Sequence, residues 1–198
     1  MIKVIAKAIT RPQATVTSYY AVLRKGGLIS TTGRGKSAQH LSSLDVARIL
    51  IVMLSADALQ EGEAVTQLVG ELEHVLGDRD LNIVYQRRFE DALALLIEFK
   101  AAQFHGRPAQ GDDVLGDLNS NDIEIRVTAT HLTAQIFVDG RETDFTEPGV
   151  RDAGVTFPDD WDQIDVLDRL ITRALMGGMS VTRAIDHSVI AQVAAAMP

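Results

Sequence analysis

From Ile123 onward the apolar residues fall on every second position. Ile123, Ile125 and Val127 alternate with polar neighbours, and Leu132, Ala134, Ile136 and Val138 do the same. A period of two belongs to a strand that buries one face. Asp139-Gly140 follows directly, a dipeptide suited to the positive backbone angles of a tight hairpin, so "RETDFT" is the returning strand. A sheet with one apolar face must bury it against another layer. The preceding hundred or so residues are spaced as helices. The pattern therefore predicts an α+β chain, mainly α with a small antiparallel sheet: helices first, then a β-hairpin or meander, then C-terminal helices.

The helical part divides at its breakers. Ile2, Ile5, Ala6 and Ile9 form one helical face, ended by Thr10-Arg11-Pro12. Pro12 suits the first turn of a second helix, where its missing N–H costs nothing. That helix carries Val16, Tyr20 and Leu23 on one side, with Gln13, Thr17, Ser18, Arg24 and Lys25 opposite, and stops at Gly26-Gly27. Leu28-Ile29-Ser30 and Gln39-His40-Leu41 then flank a glycine-rich tip, as in a hairpin with a long loop. Ser42 with Asp45 resembles a capping box for a buried, nearly all-apolar helix to about Ser55. Further helices are expected over 58–76, from about Arg87 to Gln103, over "PDDWDQIDVLDRLITRALM", and over about 180–195. Residues 105–121 have linker composition. The segments predicted are 1–56, 57–104, 105–121 and 122–198.

Charge is distributed unevenly. Residues 1–50 hold eight basic side chains against Asp45 alone, a balance of +7; with −8 overall, the remainder carries −15. A basic head on an acidic body can approach a polyanion in one orientation. There is no cysteine, which excludes disulfides, a thiol nucleophile and thiolate metal sites. "MIKVIAKAIT" lacks the features of a signal peptide, and "ILIVML" is too short to span a bilayer. A cytoplasmic protein without membrane contact is the expectation.

Within the head, "STTGRGKS" matches the end of the phosphate-loop pattern G-x-x-x-x-G-K-[ST] at Gly35, Lys36 and Ser37. Ser30 replaces the first glycine, and the helix-start signal comes only at Ser42. A phosphate loop needs a helix to open at the Gly-Lys-Ser, so that its amides face the phosphates. The nucleotide-cradle reading fails on that point.

Two short helices with a basic outer face on the second, followed by a hairpin, describe a winged helix-turn-helix. "ATVTSYYAVLRKGGLIS", then a basic loop, then "HLSSLDVARILIVML", resembles winged helix-turn-helix regulators, in particular the MerR-like branch, and the winged segments of small regulators in prophage-type gene clusters. Tyr19, Tyr20, Leu23, Arg24, Gly27, Leu28 and Ile29 carry the match, with Asp45, Val46 and Ala47 after the wing. The resemblance covers residues 1–56. The wing lacks the tyrosine of that branch, and one long dimerising helix is replaced by shorter helices and strands, so only DNA-binding geometry is carried over.

That geometry implies double-stranded DNA as partner, with helix 13–25 in the major groove and a wing at 31–38 on the backbone or in the minor groove. Gln13, Thr15, Thr17 and Ser18 would face base edges, Arg24 and Lys25 phosphates, and Arg34 and Lys36 would act from the wing tip. A homo-oligomer, dimer or larger, is expected, with a protein partner possible for the acidic C-terminal region. Transcription regulation, in a phage-related setting, is the expected task. Alternatives are the DNA-recognition small subunit of a phage-type packaging machine and a protein-only interaction module. The five histidines show no ligand spacing, no nucleophile-elbow motif is present, and Asp159, Asp160, Asp162, Asp165 and Asp168 read as a solvated helix face. No catalytic residue, metal or cofactor is expected, and no enzyme. Trp161 is expected as a core or interface anchor.

Overall fold

The computed structural model describes residues 1–30, 40–77, 88–107, 122–129, 132–146 and 181–198, apart from the side chains of 75–77. The helices are α1 (Ile2–Ala8), α2 (Gln13–Lys25), α3 (Ser43–Ser55), α4 (Gly62–Gly70), α5 (Phe89–Phe104) and α6 (His187–Ala194). The strands are β1 (Glu73–Gly77), β2 (Ile123–Thr128), β3 (Thr133–Val138), β4 (Arg141–Thr146) and β5 (Thr182–Asp186). The expected α+β class is observed.

The strands form one antiparallel sheet in the order β1-β4-β3-β2-β5. Its register follows from the alternation. Ile125 lies opposite Ile136, which lies opposite Thr143, and Val127 opposite Ala134, which lies opposite Phe145. These side chains are buried, and the alternate residues are more exposed. Asp139 and Gly140 turn β3 into β4 with φ of 53° and 73°. Positive φ at both positions is what a two-residue hairpin demands.

The helices cover the apolar face. Val46 to Leu54 of α3 are buried apart from Arg48, so α3 meets neighbours on every side. It packs on α2, α4, α5, β2 and β5. A helix apolar nearly all round has no other stable place. Burying one such Ile or Leu is worth about 1.5–3 kcal/mol. One continuous core runs from Ile5 through α3, α5 and the sheet to Val193 and Met197, so each of the segments with described core residues contributes to it.

Both ends of α3 are held. At its start Ser42 and Asp45 form the expected capping box. At its end Arg183 of β5 donates to the carbonyls of Leu54 (3.2 Å) and Ala56 (3.4 Å) and pairs with Asp57. A cation there satisfies terminal carbonyls and opposes the negative end of the helix dipole.

Some expectations change. The helix over 58–76 is instead a 3-10 turn at Leu59–Glu61, then α4, then strand β1. Leu72 is fully buried, and its apolar neighbours suit either period. The final helix begins late, at His187, because Thr182–Asp186 pair with β2. Leu28–Ser30 and, of the expected Gln39–Leu41 arm, the described His40 and Leu41 are not strands. The wing tip with Arg34 and Lys36, residues 108–121, the 159–176 helix and Trp161 lie outside the described residues. Of the 105–121 segment, His105 and Arg107 contact the chain's last residues: His105 Nε2 lies 2.9 Å from the Met197 carbonyl and Arg107 donates to Pro198 O at 3.1 Å. Among the described residues, no helix is long and apolar enough to cross a membrane.

Candidate nucleic-acid interface

The sequence of α2 divides cleanly into an inner and an outer face. Val16, Tyr19 and Leu23 are buried, and Tyr20 is half-buried. Tyr19 therefore carries more of the inner stripe than the spacing alone assigned to it. Gln13, Ala14, Thr17, Ser18, Ala21, Arg24 and Lys25 are exposed, all on one side of the helix. At 1.5 Å per residue this strip is roughly 18 Å long. Gln13 and Lys25 mark its two ends, so the uncharged polar side chains and the basic pair Arg24 and Lys25 are separated along it. The small side chains of Ala14 and Ala21 leave room for close approach of a large partner.

Of the residues assigned to base edges, Thr15 is half-buried and sits at the margin of the strip. Thr17 and Ser18 lie within it, but their hydroxyls are engaged. Thr17 Oγ1 donates to the Gln13 carbonyl at 2.9 Å, and Ser18 Oγ donates to the Ala14 carbonyl at 3.0 Å. With the proton so used, each hydroxyl presents lone pairs outward, and Thr17 also offers a methyl group. These suit an amino-group donor or a thymine methyl better than an acceptor.

The tight ends of α2 set its position. Gly27, at φ 78°, lets the Leu28 N–H reach back to the Leu23 carbonyl at 2.9 Å. The α1–α2 turn uses the same closure without glycine. Thr10 takes φ 54°, and the Arg11 N–H donates to the Ala6 carbonyl at 2.9 Å. A β-branched residue there stores roughly 1–2 kcal/mol of strain.

The N-terminal segment is rich in exposed cations. Lys3, Lys7, Arg11, Arg24 and Lys25 are all exposed. Arg48 is withdrawn from this group. Its Nε donates to Glu90 at 2.8 Å, Nη2 to the same carboxylate at 3.1 Å, and Nη1 to the Leu28 carbonyl at 2.6 Å. The Glu90 hydrogen bonds raise its already high pKa, against the effect of burial.

At the start of α3 lies a clasp. Asp45 accepts from Ser30 N–H (2.9 Å), Ser30 Oγ (2.6 Å) and Ser42 N–H (3.0 Å). Burial opposes the charge on Asp45, but these bonds outweigh it and hold the carboxyl below its ordinary value. One carboxylate thus ties residue 30 to residue 42, across the loop between them. The capping role of Asp45 is visible in the Ser-x-x-Asp spacing; the link to Ser30 is not. Glu90 and Arg183 were likewise unmarked by any motif. Among the described residues no group of three or more His, Asp or Glu could hold a metal ion. No protein-family model, curated protein or solved structure matches the chain.

Proposed function

We propose that the protein binds double-stranded DNA, with α2 entering the major groove, and that it regulates transcription as a dimer or larger oligomer. One observation carries this reading. Residues 1–30 contain five basic side chains and no acid; all five are exposed, and Arg24 and Lys25 stand on the polar strip of α2. The rest of the chain is acidic, so its field turns the head toward a polyanion and the body away. Gln13, Thr17 and Ser18 would meet base edges, with Thr15 at the margin. Arg24 and Lys25 would hold phosphate, and Arg34 and Lys36 would reach the backbone or minor groove. The clasp at Asp45 supports that last role by fixing both ends of the loop that carries them.

The test is binding to genomic duplex fragments at several salt concentrations. Each phosphate contact contributes about −0.9 to the slope of log K against log salt. Arg24→Ala/Lys25→Ala is expected to make the slope shallower by about 1.8, for two lost contacts. Arg34→Ala/Lys36→Ala should do the same if the loop touches the backbone. Absence of duplex binding even at low salt overturns the proposal. Mass measurement on the complex reads the oligomer; a ring of eight or more subunits would transfer the DNA-binding role to a packaging machine.

A further inference from the structure

β5 closes one side of the sheet. It pairs with β2, and among the described residues no backbone group pairs with its other side. Such an edge presents a row of N–H and C=O groups that can template a further strand. A cleft of about 680 Å³ runs along this edge. Ala184 and Asp186, on one face of β5, and Arg183 and Ile185, on the other, all line it. Residues of both faces share a cleft only where the cleft follows the edge itself. Thr10 and Arg11 of the α1–α2 turn bound the same space. Its volume is that of a small-molecule site, so it admits a short extended segment and not the body of a second sheet.

The charges of the cleft are balanced and separated. Glu124 is paired with Arg126, both bonds at 2.8 Å, and Arg183 with Asp57. Two charges are left. Arg11 has no ion pair among the described residues. Asp186 accepts from Ser188 Oγ at 2.6 Å and from the Val189 N–H at 3.2 Å, both uncharged donors, so its charge is not neutralised. Burial raises the Tyr19 pKa, and the positive fields of Arg183 and Arg11 oppose it, so both cations lie near that hydroxyl. Asp186 lies three residues further along β5, roughly 10 Å at strand spacing. The cleft therefore has a positive end, a negative end and an open line of backbone between them.

We infer that a short extended peptide of a partner protein adds to β5 as a further strand, antiparallel like the rest of the sheet, with a basic residue beside Asp186 and an acidic one beside Arg11. Main-chain hydrogen bonds supply the affinity, and the two charges fix direction and register. A polar lining with no net charge suits a peptide backbone. The site goes beyond DNA binding and does not depend on it.

The probe is a labelled acetyl-Lys-Val-Thr-Glu-Thr-amide, titrated with the full chain by fluorescence anisotropy. Antiparallel to β5, its Lys stands opposite Asp186 and its Glu opposite Arg183, near Arg11. Saturable binding is expected. Backbone N-methylation separates strand pairing from loose contact, because alternate residues of a strand bond to opposite sides. Methylating Val and Glu, or instead Lys and both Thr, should give affinities that differ at least about tenfold, since one set alone faces β5. Arg11→Glu should weaken the parent peptide roughly tenfold, and replacing the peptide's Glu with Lys should restore binding to that variant. Arg11 is exposed and its backbone bond is kept, so folding is preserved, as circular dichroism would verify. No saturable binding, equal loss from the two methylation patterns, or no effect of Arg11→Glu would overturn the inference. Dissociation of the protein's own oligomer by the peptide would overturn it in favour of a second copy at the edge.

Discussion

Replacing Asp45 with asparagine keeps the shape of the clasp and removes its charge. The carboxylate accepts three hydrogen bonds, of which the one from the Ser42 N–H is its half of the capping box. An asparagine carbonyl can serve two of those donors; its amide then points hydrogens at the third. Losing the charge-assisted part of such bonds costs about 1.5–3 kcal/mol, and disturbing the cap about 1 kcal/mol, though these share one side chain and overlap. A net loss of about 2–3 kcal/mol is expected, a large share of a stability of roughly 5–15 kcal/mol. The pH dependence makes the argument specific. The folded pKa of Asp45 is depressed from 3.8, so its contribution is complete above the unfolded value and disappears as pH falls through the folded one. Urea unfolding of wild type and Asp45→Asn at pH 7 and at several values below 4 reads both quantities. The gap in midpoint should be widest at neutral pH and should shrink in acid. An unchanged midpoint at pH 7, or a gap constant down to strong acid, would refute the account of the clasp.

Other expectations follow from single contacts. Arg183→Met should lower stability by about 1–2 kcal/mol, since it strips the last carbonyls of α3 of a charged donor while keeping the stem; a thermal melt reads it. Gly140→Ala meets no atom within 4 Å, so its cost is backbone strain at φ 73°, about 1 kcal/mol by denaturation. A fragment of residues 1–56 should give no cooperative melt, because α3 would expose the faces that α4, α5 and the sheet cover.

The meander was legible because period two and an Asp-Gly turn point the same way. α2 and α3 were legible for the same reason: spacing, glycine stop and capping box agree. β1 was not, because Val65, Leu68, Val69, Leu72, Val75 and Leu76 satisfy a helix and the strand partner lies some seventy residues on. β5 was hidden in the same way, although Asp186 before an apolar run is an N-cap signal that could have marked the true start of α6. At the interface, exposure of the α2 strip followed from its amphipathic pattern. The withdrawal of Arg48 to Glu90 and the tie from Ser30 to Asp45 did not. Both join residues that sequence order separates, and a local pattern carries no information about them.

The contact of α1 with α6 brings the first helix of the chain against the last. Together with Arg183 closing α3, it means that the head is completed by residues made long after its own. On a ribosome adding about 5–20 residues per second, the N-terminal helices wait roughly ten to thirty seconds or more for those partners. The polar strip of α2 therefore reaches its final support only after β5 and α6 have been made. A product truncated before β5 would lack that support and leave the N-terminal helices without their cover.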